Sequence, residues 1–346
     1  MRDIRELKYM QSLPLKRKIE MTAERIDGWY QHYDGNVAVS FSGGKDSTVL
    51  LDIARNHWRG HQDIKAVFVD TGLEYPEIRQ FVKTFDNVDI IRPAMRFDEV
   101  IKKYGYPVIS KEVCESLYQT KKYLDSGGKK ETYRLKKLRG KLKDKNDNIS
   151  LFNQQKYEPL LYVNFYCSNI CCNVMKKQPS HIYTKKNNRC FITAEMACES
   201  KLRQQKWLQN GCNGFDLKHP KSTPMAFWTE QDVLEYIYKN NLPIAEPYGQ
   251  VVETECQLTF DGEQCKYETT GCNRTGCMFC AFGLHLEAGK TRFQRLKETH
   301  PKQYEYCING GEFINGIWQP NKQGLGLRYV FDEINKIYGN DFIRYE

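Results

Sequence analysis

The residues best suited to chemistry lie in one short stretch, where a glycine turn is followed by a lysine and several hydroxyls. Residues 37–41 are mainly apolar, Gly43 and Gly44 interrupt them, and Lys45 begins a run with helical spacing. Such a turn leaves backbone amides free for a ligand, and the following helix directs its positive dipole to the same point. The donor side chains there are Ser42, Lys45, Ser47 and Thr48. Together they indicate an anion-binding loop suited to the phosphates of a nucleotide.

A second set of residues has the spacing of a metal centre. Cys171 and Cys172 are adjacent, and Cys277 and Cys280 form a Cys-x-x-Cys pair far downstream. Four thiolates suit either a structural zinc ion or an iron–sulfur cluster. Adjacent cysteines bind one zinc tetrahedron only with strain, whereas a cluster offers separate iron atoms, so the pair favours the cluster. Two further cysteines of the right type lie near in sequence, Cys167 and Cys272.

The other seven cysteines have no such spacing and are predicted to be buried or surface thiols. They are Cys114, Cys190, Cys198, Cys212, Cys256, Cys265 and Cys307. Asp261 and Gly262 predict a hairpin turn between Cys256 and Cys265. In a reducing compartment, a cysteine-rich chain indicates metal-binding or catalytic thiols more than disulfides.

Composition limits the class of protein. The 346 residues suffice for one large α/β domain with a smaller one, or for two modest domains. No apolar run is long enough to span a bilayer, and residues 1–6 are charged without the apolar core of a signal peptide. We therefore expect a cytoplasmic protein with no membrane contact. The net charge of +9 indicates an acidic partner, such as a nucleotide or a nucleic acid.

Strands and helices alternate around the glycine turn, which predicts an α/β fold with a doubly wound, mostly parallel sheet. The strands predicted after the first are 64–70, 88–92 and 191–195. Because ligands bind at the carboxyl ends of strands in such sheets, Asp70 and Thr71 should lie beside the turn. Asp70 could orient a magnesium ion or a ribose hydroxyl, and a helix N-cap is the alternative.

Three segments are predicted along the chain. Residues 1–34 form an N-terminal helical segment, residues 35–215 the α/β domain, and residues 216–346 a helical, cysteine-rich C-terminal region. A basic insertion at about 118–150, with tyrosines among its lysines and arginines, interrupts the second segment. The sequence leaves open whether this insertion is a nucleic-acid surface or only a solvated insertion.

Several of these motifs resemble a known family. The run Ser-Gly-Gly-Lys-Asp-Ser at 42–47 resembles the PP-loop of the ATP pyrophosphatase superfamily, which adenylates substrates and releases pyrophosphate. Cys171 and Cys172, the lysines and Pro179 after them, and the distant Cys-x-x-Cys resemble the cluster motif of iron–sulfur sulfonucleotide reductases. Those enzymes belong to the phosphoadenosine phosphosulfate (PAPS) reductase family. Further similar blocks are 70–72 with 76–77, 199–203, and 228–237 with 242–243 and 247–248.

The resemblance implies an adenine nucleotide alpha hydrolase-like fold and a set of site residues. ATP, or PAPS or adenosine 5′-phosphosulfate (APS), with Mg²⁺ would be bound by Ser40, Ser42, Gly43, Gly44, Lys45, Asp46, Ser47, Thr71, Gly72 and Arg203. The residues implied in catalysis are Lys45, Asp46 and Asp70. A [4Fe-4S] cluster would be held by Cys171, Cys172, Cys277 and Cys280. Arg203 could clamp a phosphate or sulfate, and a surface ion pair with Glu199 is the alternative.

Two features depart from the assimilatory reductases of that family. Their C-terminal Glu-Cys-Gly-x-His tail carries a nucleophilic cysteine and is missing here, where Cys307 is the nearest substitute. The intact Ser-Gly-Gly-Lys-Asp-Ser loop is typical of ATP-using members, and Lys45 suits a triphosphate.

Three functions follow from these motifs. The preferred one is ATP-dependent adenylation of an acceptor, with pyrophosphate release and [4Fe-4S]-dependent sulfur transfer to a substrate such as tRNA or DNA. The second is reduction of PAPS or APS to sulfite, with an external thiol donor or Cys307. The third is nucleotide- and cluster-dependent binding or sensing without turnover. A protein that donates sulfur or electrons is expected as a partner.

Overall fold

The computed structural model describes residues 2–57, 59–259 and 262–346. Its strands are β1 (Val37–Ser40), β2 (Lys65–Val69), β3 (Val88–Ile91), β4 (Val108–Ile109), β5 (Cys190–Ile192), β6 (Asn213–Gly214), β7 (Lys221–Ser222), β8 (Val251–Thr259), β9 (Gly262–Thr269), β10 (Ala281–Phe282), β11 (Glu312–Ile314) and β12 (Ile317–Gln319). Its α-helices are α1 (Ile4–Ser12), α2 (Leu15–His32), α3 (Lys45–Asn56), α4 (Pro76–Val82), α5 (Phe97–Tyr104), α6 (Lys111–Asp125), α7 (Tyr133–Leu138), α8 (Gln178–Asn187), α9 (Lys201–Asn210), α10 (Glu230–Lys239), α11 (Arg292–Thr299), α12 (Pro301–Ile308) and α13 (Leu327–Tyr338). Short 3₁₀ helices lie at Gln155–Leu161, Ala197–Glu199, Glu246–Tyr248 and Leu284–Leu286, and a π-helical turn at Asn173–Lys177.

The chain forms two compact units, each built from separate stretches of sequence. The first contains Met1–Asp70, Glu74–Arg92 and Pro179–Gly276. The second contains Thr71–Leu73, Pro93–Gln178 and Cys277–Glu346. The linear segments predicted from the sequence, 1–34, 35–215 and 216–346, stay a prediction about domain organisation.

The first unit contains a six-stranded sheet in the order β3-β2-β1-β5-β7-β6. Neighbouring strands are parallel except β6, which is antiparallel to β7 at one edge. Val37, Ala38 and Val39 are fully buried, as expected for a central parallel strand that is covered on both faces. This confirms the predicted α/β fold with a mostly parallel sheet. The predicted fourth strand is shorter than expected, since β5 ends at Ile192.

The direction of the chain reverses beside β1, and this places the glycine turn. From β1 the chain runs outward through β2 to β3, and it later returns to β5 on the other side of β1. Ser40 pairs with Val67 of β2 at the carboxyl end of β1. The turn that follows Ser40 therefore lies at the topological switch point, where open α/β sheets bind their ligands.

A buried ion pair fixes helix α10 against helix α2 in the same unit. The Lys18 ammonium bonds both carboxylate oxygens of Asp232, at 2.7 and 2.8 Å. Asp232 also completes a capping box with Thr229, the residue before the helix. The first turn of α10, which begins at Glu230, is thereby held in one position.

The second unit is mainly helical, with two small sheets. Strands β4 and β10 pair in parallel, and β11 and β12 form an antiparallel hairpin. Phe293 of α11 packs against Phe331 of α13 with ring centroids 5.2 Å apart. The Tyr106 hydroxyl donates to the Leu325 carbonyl at 2.8 Å. Helices α11 to α13 supply the helical character predicted for the C-terminal region.

The basic insertion contains the end of α6 and all of α7, and many of its charges are paired within the second unit. The ion pairs are Arg134–Glu115, Lys137–Glu112, Arg139–Glu131, Lys141–Glu131 and Lys143–Asp147. Lys121 is half-buried and donates to the carbonyls of Leu161 and Val163 at 2.8 Å each. These charges stabilise the insertion itself, so its positive surface is smaller than the sequence suggests.

Strands β8 and β9 form an antiparallel hairpin in the first unit, in which Cys256 lies directly opposite Cys265. A disulfide joins the two sulfur atoms. The prediction that both residues are thiols is therefore wrong, because strand register brings their Cα atoms within 4.0 Å of each other. The predicted turn residue Asp261 lies outside the described residues.

In the described part of the chain, none of the helices has the length and apolar character that crossing a membrane requires. The cytoplasmic location stays a prediction.

The Lys18–Asp232 pair allows a stability prediction. We expect Lys18→Ala to lower the free energy of unfolding by about 3–5 kcal/mol, because it leaves the Asp232 carboxylate buried without its cation. Denaturant titration measures this change. Lys16→Ala, at an exposed position of the same helix, should change the free energy by less than about 0.5 kcal/mol. Equal effects of the two variants would contradict a stabilising role for the pair.

Candidate functional site

The glycine turn after β1 is closed by steric contacts that exclude larger residues. Gly43 has a φ of +70°, and a Cβ atom there would lie 2.8 Å from methyl groups of both Ile78 and Val82. A Cβ on Gly44 would lie 3.0 Å from the Tyr248 hydroxyl and 3.2 Å from the Ser42 hydroxyl. Gly43 is thus required by its positive φ and by lack of space, whereas a Cβ on Gly44 would only press on two side-chain hydroxyls.

The hydroxyl side chains of the loop bond to the loop itself. Ser42 Oγ lies 3.0 Å from Ser47 Oγ and accepts from the Gly44 amide at 3.3 Å. Ser47 and Thr48 both donate to the Gly44 carbonyl, at 2.9 and 3.1 Å. The loop is therefore preformed around the N-terminus of α3, where backbone amides can bind an anion.

Lys45 is the charged centre of this loop. The residue is only 2% exposed. Its ammonium pairs with Asp46 and with Glu230 of α10, at 3.1 Å in each case. Burial alone would lower the pKa of Lys45, but the two carboxylates outweigh burial and raise it. The lysine is therefore held fully charged, beside two anions that a phosphate could replace.

Tyr248 and Thr275 also lie beside the glycine loop, although they were not among the predicted site residues. The Tyr248 hydroxyl lies 2.7 Å from Thr275 Oγ1, and it would also lie 3.0 Å from a Cβ atom on Gly44. Burial raises the pKa of Tyr248, so the phenol stays neutral. The Pro247-Tyr248 block was visible in the sequence, but its contact with the loop required the fold.

Asp70 lies at the carboxyl end of β2 and is largely buried. Its Oδ2 accepts from Arg79 at 3.0 Å and from Arg92 at 3.4 Å. Helix α4 begins at Pro76 with Tyr75 before it, so Asp70 is not the N-cap of that helix. The role of Asp70 toward magnesium or ribose stays a prediction.

Four further residues, Ser40, Thr71, Gly72 and Arg203, were predicted to bind the nucleotide. Arg203 pairs with Glu199, which also contacts Arg274 at 3.6 Å. The ion pair with Glu199, the alternative to clamping a phosphate or sulfate, is therefore present. Thr71 and Gly72 belong to the second unit, where the Thr71 hydroxyl accepts from the Leu73 amide at 3.1 Å. Ser40 ends β1. Nucleotide binding by these four, Ser40, Thr71, Gly72 and Arg203, stays a prediction.

The four predicted metal ligands all belong to the second unit, and their binding of a metal stays a prediction. Cys171 and Cys172 form the first turn of a helix that continues through the π-helical turn into α8. The Cys280 amide donates to the Cys277 carbonyl at 3.0 Å, which closes the Cys-x-x-Cys turn. The Cys171 thiol bonds Cys172 and interacts electrostatically with both Cys277 and Cys280. Such π-helical turns are frequent at functional sites.

Positive charges surround these thiols. The hydrogen bond from Cys171 lowers the pKa of Cys172 to about 6, and Lys111, Lys176 and Lys177 add to this effect. The same hydrogen bond, together with burial, raises the pKa of Cys171. Burial raises the pKa of Cys280, although the Phe282 amide and Arg292 oppose it. The site can therefore compensate the negative charge that thiolates bring to a metal centre.

The other candidate cysteines lie elsewhere or are inaccessible. Cys167 bonds the buried thiol of Cys114, and Cys272 lies in the first unit. Cys307 is fully buried in α12, and burial raises the pKa of its thiol well above the ordinary value. A buried, protonated thiol is a poor nucleophile, so Cys307 is an unsuitable substitute for the missing tail cysteine.

Comparison with known proteins identifies the family. The profile of the phosphoadenosine phosphosulfate reductase domain matches residues 36–125 and 97–281. The chain belongs to this family. The match includes the glycine turn and the four cysteines Cys171, Cys172, Cys277 and Cys280, but it does not by itself assign a reaction.

Three curated relatives show the range of this similarity. An uncharacterized protein of Methanocaldococcus jannaschii is 21% identical over 82% of this chain, which spans about half (51%) of that protein. Adenosine 5'-phosphosulfate reductase of Staphylococcus epidermidis is 24% identical over 70% of this chain and 77% of its own length. Sulfate adenylyltransferase subunit 2 of Shewanella baltica is 25% identical over 82% of this chain and 86% of its own length.

A crystal structure of phosphoadenylyl-sulfate (PAPS) reductase from Candida auris, a phosphate complex, aligns with 71% of this chain and 91% of its own. The TM-score is 0.35 and the identity is 14%, which are too low to support an argument about fold or function.

The glycine turn gives a second prediction. We expect Gly43→Ala to destabilise the fold by at least about 1–2 kcal/mol, because alanine disfavours a positive φ and its methyl group would collide with Ile78 and Val82. Gly28→Ala is the control, since Gly28 lies inside α2 with open space around it and should stabilise by about 0.5–1 kcal/mol. Denaturant titration of both variants checks this. Equal stability of Gly43→Ala and the parent chain would mean that the turn is not constrained.

Proposed function

We propose that the chain binds ATP at the glycine turn and adenylates an acceptor, with release of pyrophosphate and iron–sulfur-dependent sulfur transfer. The observation that carries this proposal is Lys45, a buried ammonium at the N-terminus of α3 that is paired with two carboxylates. A triphosphate carries enough negative charge to replace both carboxylates beside the Lys45 ammonium. The relative named sulfate adenylyltransferase subunit 2 supports adenylyl transfer, with sulfate as one acceptor to test.

In the proposed reaction, each loop group has a defined task. The amides at the start of α3 and the ammonium of Lys45 bind phosphate oxygens and stabilise the charge that develops on the leaving pyrophosphate. Asp46 and Glu230 are displaced from Lys45 by the nucleotide. Tyr248, whose hydroxyl bonds Thr275 and lies close to Gly44, supports the loop before α3. Asp70 is the proposed ligand of magnesium or ribose, oriented by Arg79 and Arg92.

The proposed ligands of a [4Fe-4S] cluster are Cys171, Cys172, Cys277 and Cys280, which all belong to the second unit. They offer four sulfur ligands, the adjacent pair can reach separate iron atoms, and nearby lysines offset the negative charge. The Phe282 amide and Arg292 favour the thiolate form of Cys280, which is the form that binds iron. When bound, the cluster would supply the sulfur or electron chemistry of the transfer step. Zinc in the same site is the alternative that metal analysis decides.

Reduction of a sulfonucleotide is the second candidate function. The relative named adenosine 5'-phosphosulfate reductase favours it. Because Cys307 is buried, this reaction would need an external thiol donor to attack the substrate. Nucleic acid is one proposed acceptor for the first function, although the ion pairs within the basic insertion reduce the surface available for it.

The proposed role of Lys45 can be tested by pyrophosphate release. With ATP, Mg²⁺ and sulfate, tRNA or DNA as the acceptor, we expect Lys45→Met to lower kcat/KM by about 10²–10³-fold, because it removes a charge from the leaving group. Lys83→Met, at an exposed position, should retain full activity. The assay is run without oxygen, with the cluster present.

Two results would contradict adenylation. One is pyrophosphate release that is equal in Lys45→Met and the parent chain. The other is sulfite formation from PAPS or APS without any pyrophosphate release from ATP, which would establish the reductase function. ATP binding without turnover of any of these substrates would favour the third function, nucleotide- and cluster-dependent binding or sensing.

Cluster binding is tested by metal analysis of anaerobically purified protein. We expect about four iron atoms per chain and visible absorption, both lost in Cys277→Ser because one ligand is removed. Cys272→Ser is the matched control and should retain the iron, since Cys272 lies in the other unit. Zinc in place of iron in the parent chain would contradict a cluster at this site.

A further inference from the structure

One face of the β8–β9 hairpin carries three metal-ligand side chains close together. The carboxylate of Glu253 and the sulfur atoms of Cys256 and Cys265 all lie within 4.8 Å of one another. Glu253 and Cys256 are exposed, and Cys265 is half-buried. These three residues belong to the first unit and take no part in the nucleotide loop or the cluster site.

A β-bulge places Glu253 on this face. In a regular strand, side chains alternate between faces, so residues 253 and 256 would point in opposite directions. The register shift between Glu253 and Glu255 adds Thr254 as an extra residue, which reverses the alternation. Glu253 consequently shares a face with Cys256 and with Cys265, the residue opposite it.

The carboxylate of Glu253 is also held in position. It accepts a hydrogen bond from the Tyr267 hydroxyl at 3.2 Å, and Tyr267 is buried. Gln231 of α10 bonds the Tyr267 backbone twice, to the amide at 2.9 Å and to the carbonyl at 3.0 Å. Glu255 pairs with Lys266 at 2.6 Å instead. A hydrogen-bonded, oriented carboxylate is a common feature of protein metal sites.

We propose that the reduced hairpin binds a thiophilic divalent cation of the zinc class through Glu253, Cys256 and Cys265. Two thiolates and a carboxylate are ligands that zinc accepts, and a fourth position stays open for water or another ligand. Binding releases the two thiol protons. The disulfide is the metal-free form of the same site, because both states use the same two sulfur atoms.

Exchange between the two forms is a balanced two-electron reaction. The metal ion is released, the two thiolates take up protons from water, and closing the Cys256–Cys265 bond then removes two electrons and two protons from the thiols. An external disulfide of the glutathione class takes them up and becomes two thiols. Reduction by the same class of thiol reverses the reaction and restores the metal ligands.

The test measures the alkylation of each cysteine in the full chain, by peptide mass spectrometry. After reduction with a phosphine, zinc ions should slow alkylation of Cys256 and Cys265 at least about tenfold, because metal-bound thiolates react poorly. Oxidised protein should show neither alkylation nor zinc protection at these two positions. Alkylation is measured separately at each cysteine. Zinc bound by Cys171, Cys172, Cys277 and Cys280 therefore does not affect the result at Cys256 and Cys265.

Matched variants identify the third ligand. Glu253→Gln should raise the zinc concentration needed for protection at least about tenfold, and Tyr267→Phe about tenfold through loss of its hydrogen bond. Glu255→Gln removes an equivalent carboxylate that pairs with Lys266 and should have no effect. The proposal fails if zinc does not protect the two cysteines. It also fails if Glu253→Gln and Glu255→Gln behave alike.

Discussion

The ion pairs of Lys45 are the interaction on which the proposed nucleotide site depends. An ammonium that is almost fully buried requires anions beside it, and Asp46 and Glu230 supply them. Glu230 is in place because the Lys18–Asp232 pair fixes the first turn of α10. The first unit therefore presents a charged lysine at the switch point of its sheet, with carboxylates that phosphate oxygens can replace.

The cysteines of the second unit also need compensating charges, but here the thiolates are negative and the neighbouring charges are positive. Buried thiolates need positive charge nearby, and the start of a helix together with Lys111, Lys176 and Lys177 provides it around Cys172. The match to the PAPS reductase domain family spans both the glycine turn and these cysteines. Cys307 is fully buried and burial raises the pKa of its thiol, so it is unsuited to act as a nucleophile.

Local patterns predicted much of this structure. The turn after β1 was identified by its paired glycines, and strands β2 and β3 lie within the ranges 64–70 and 88–92 predicted for them. Interactions between distant segments were missed, because their partners become neighbours only through strand order and register. Glu230 and Tyr248 approach the loop from more than 180 residues away, and the disulfide depends on the pairing of Cys256 with Cys265.

The central claim is that nucleotide phosphates replace carboxylates at Lys45. The most direct measurement is the affinity of ATP and of AMP, each with Mg²⁺, for the parent chain and for Glu230→Gln by titration calorimetry. We expect ATP to bind more tightly than AMP, and Glu230→Gln to tighten ATP binding because one competing carboxylate is gone. Equal affinities for ATP and AMP, or weaker ATP binding by Glu230→Gln, would contradict this account.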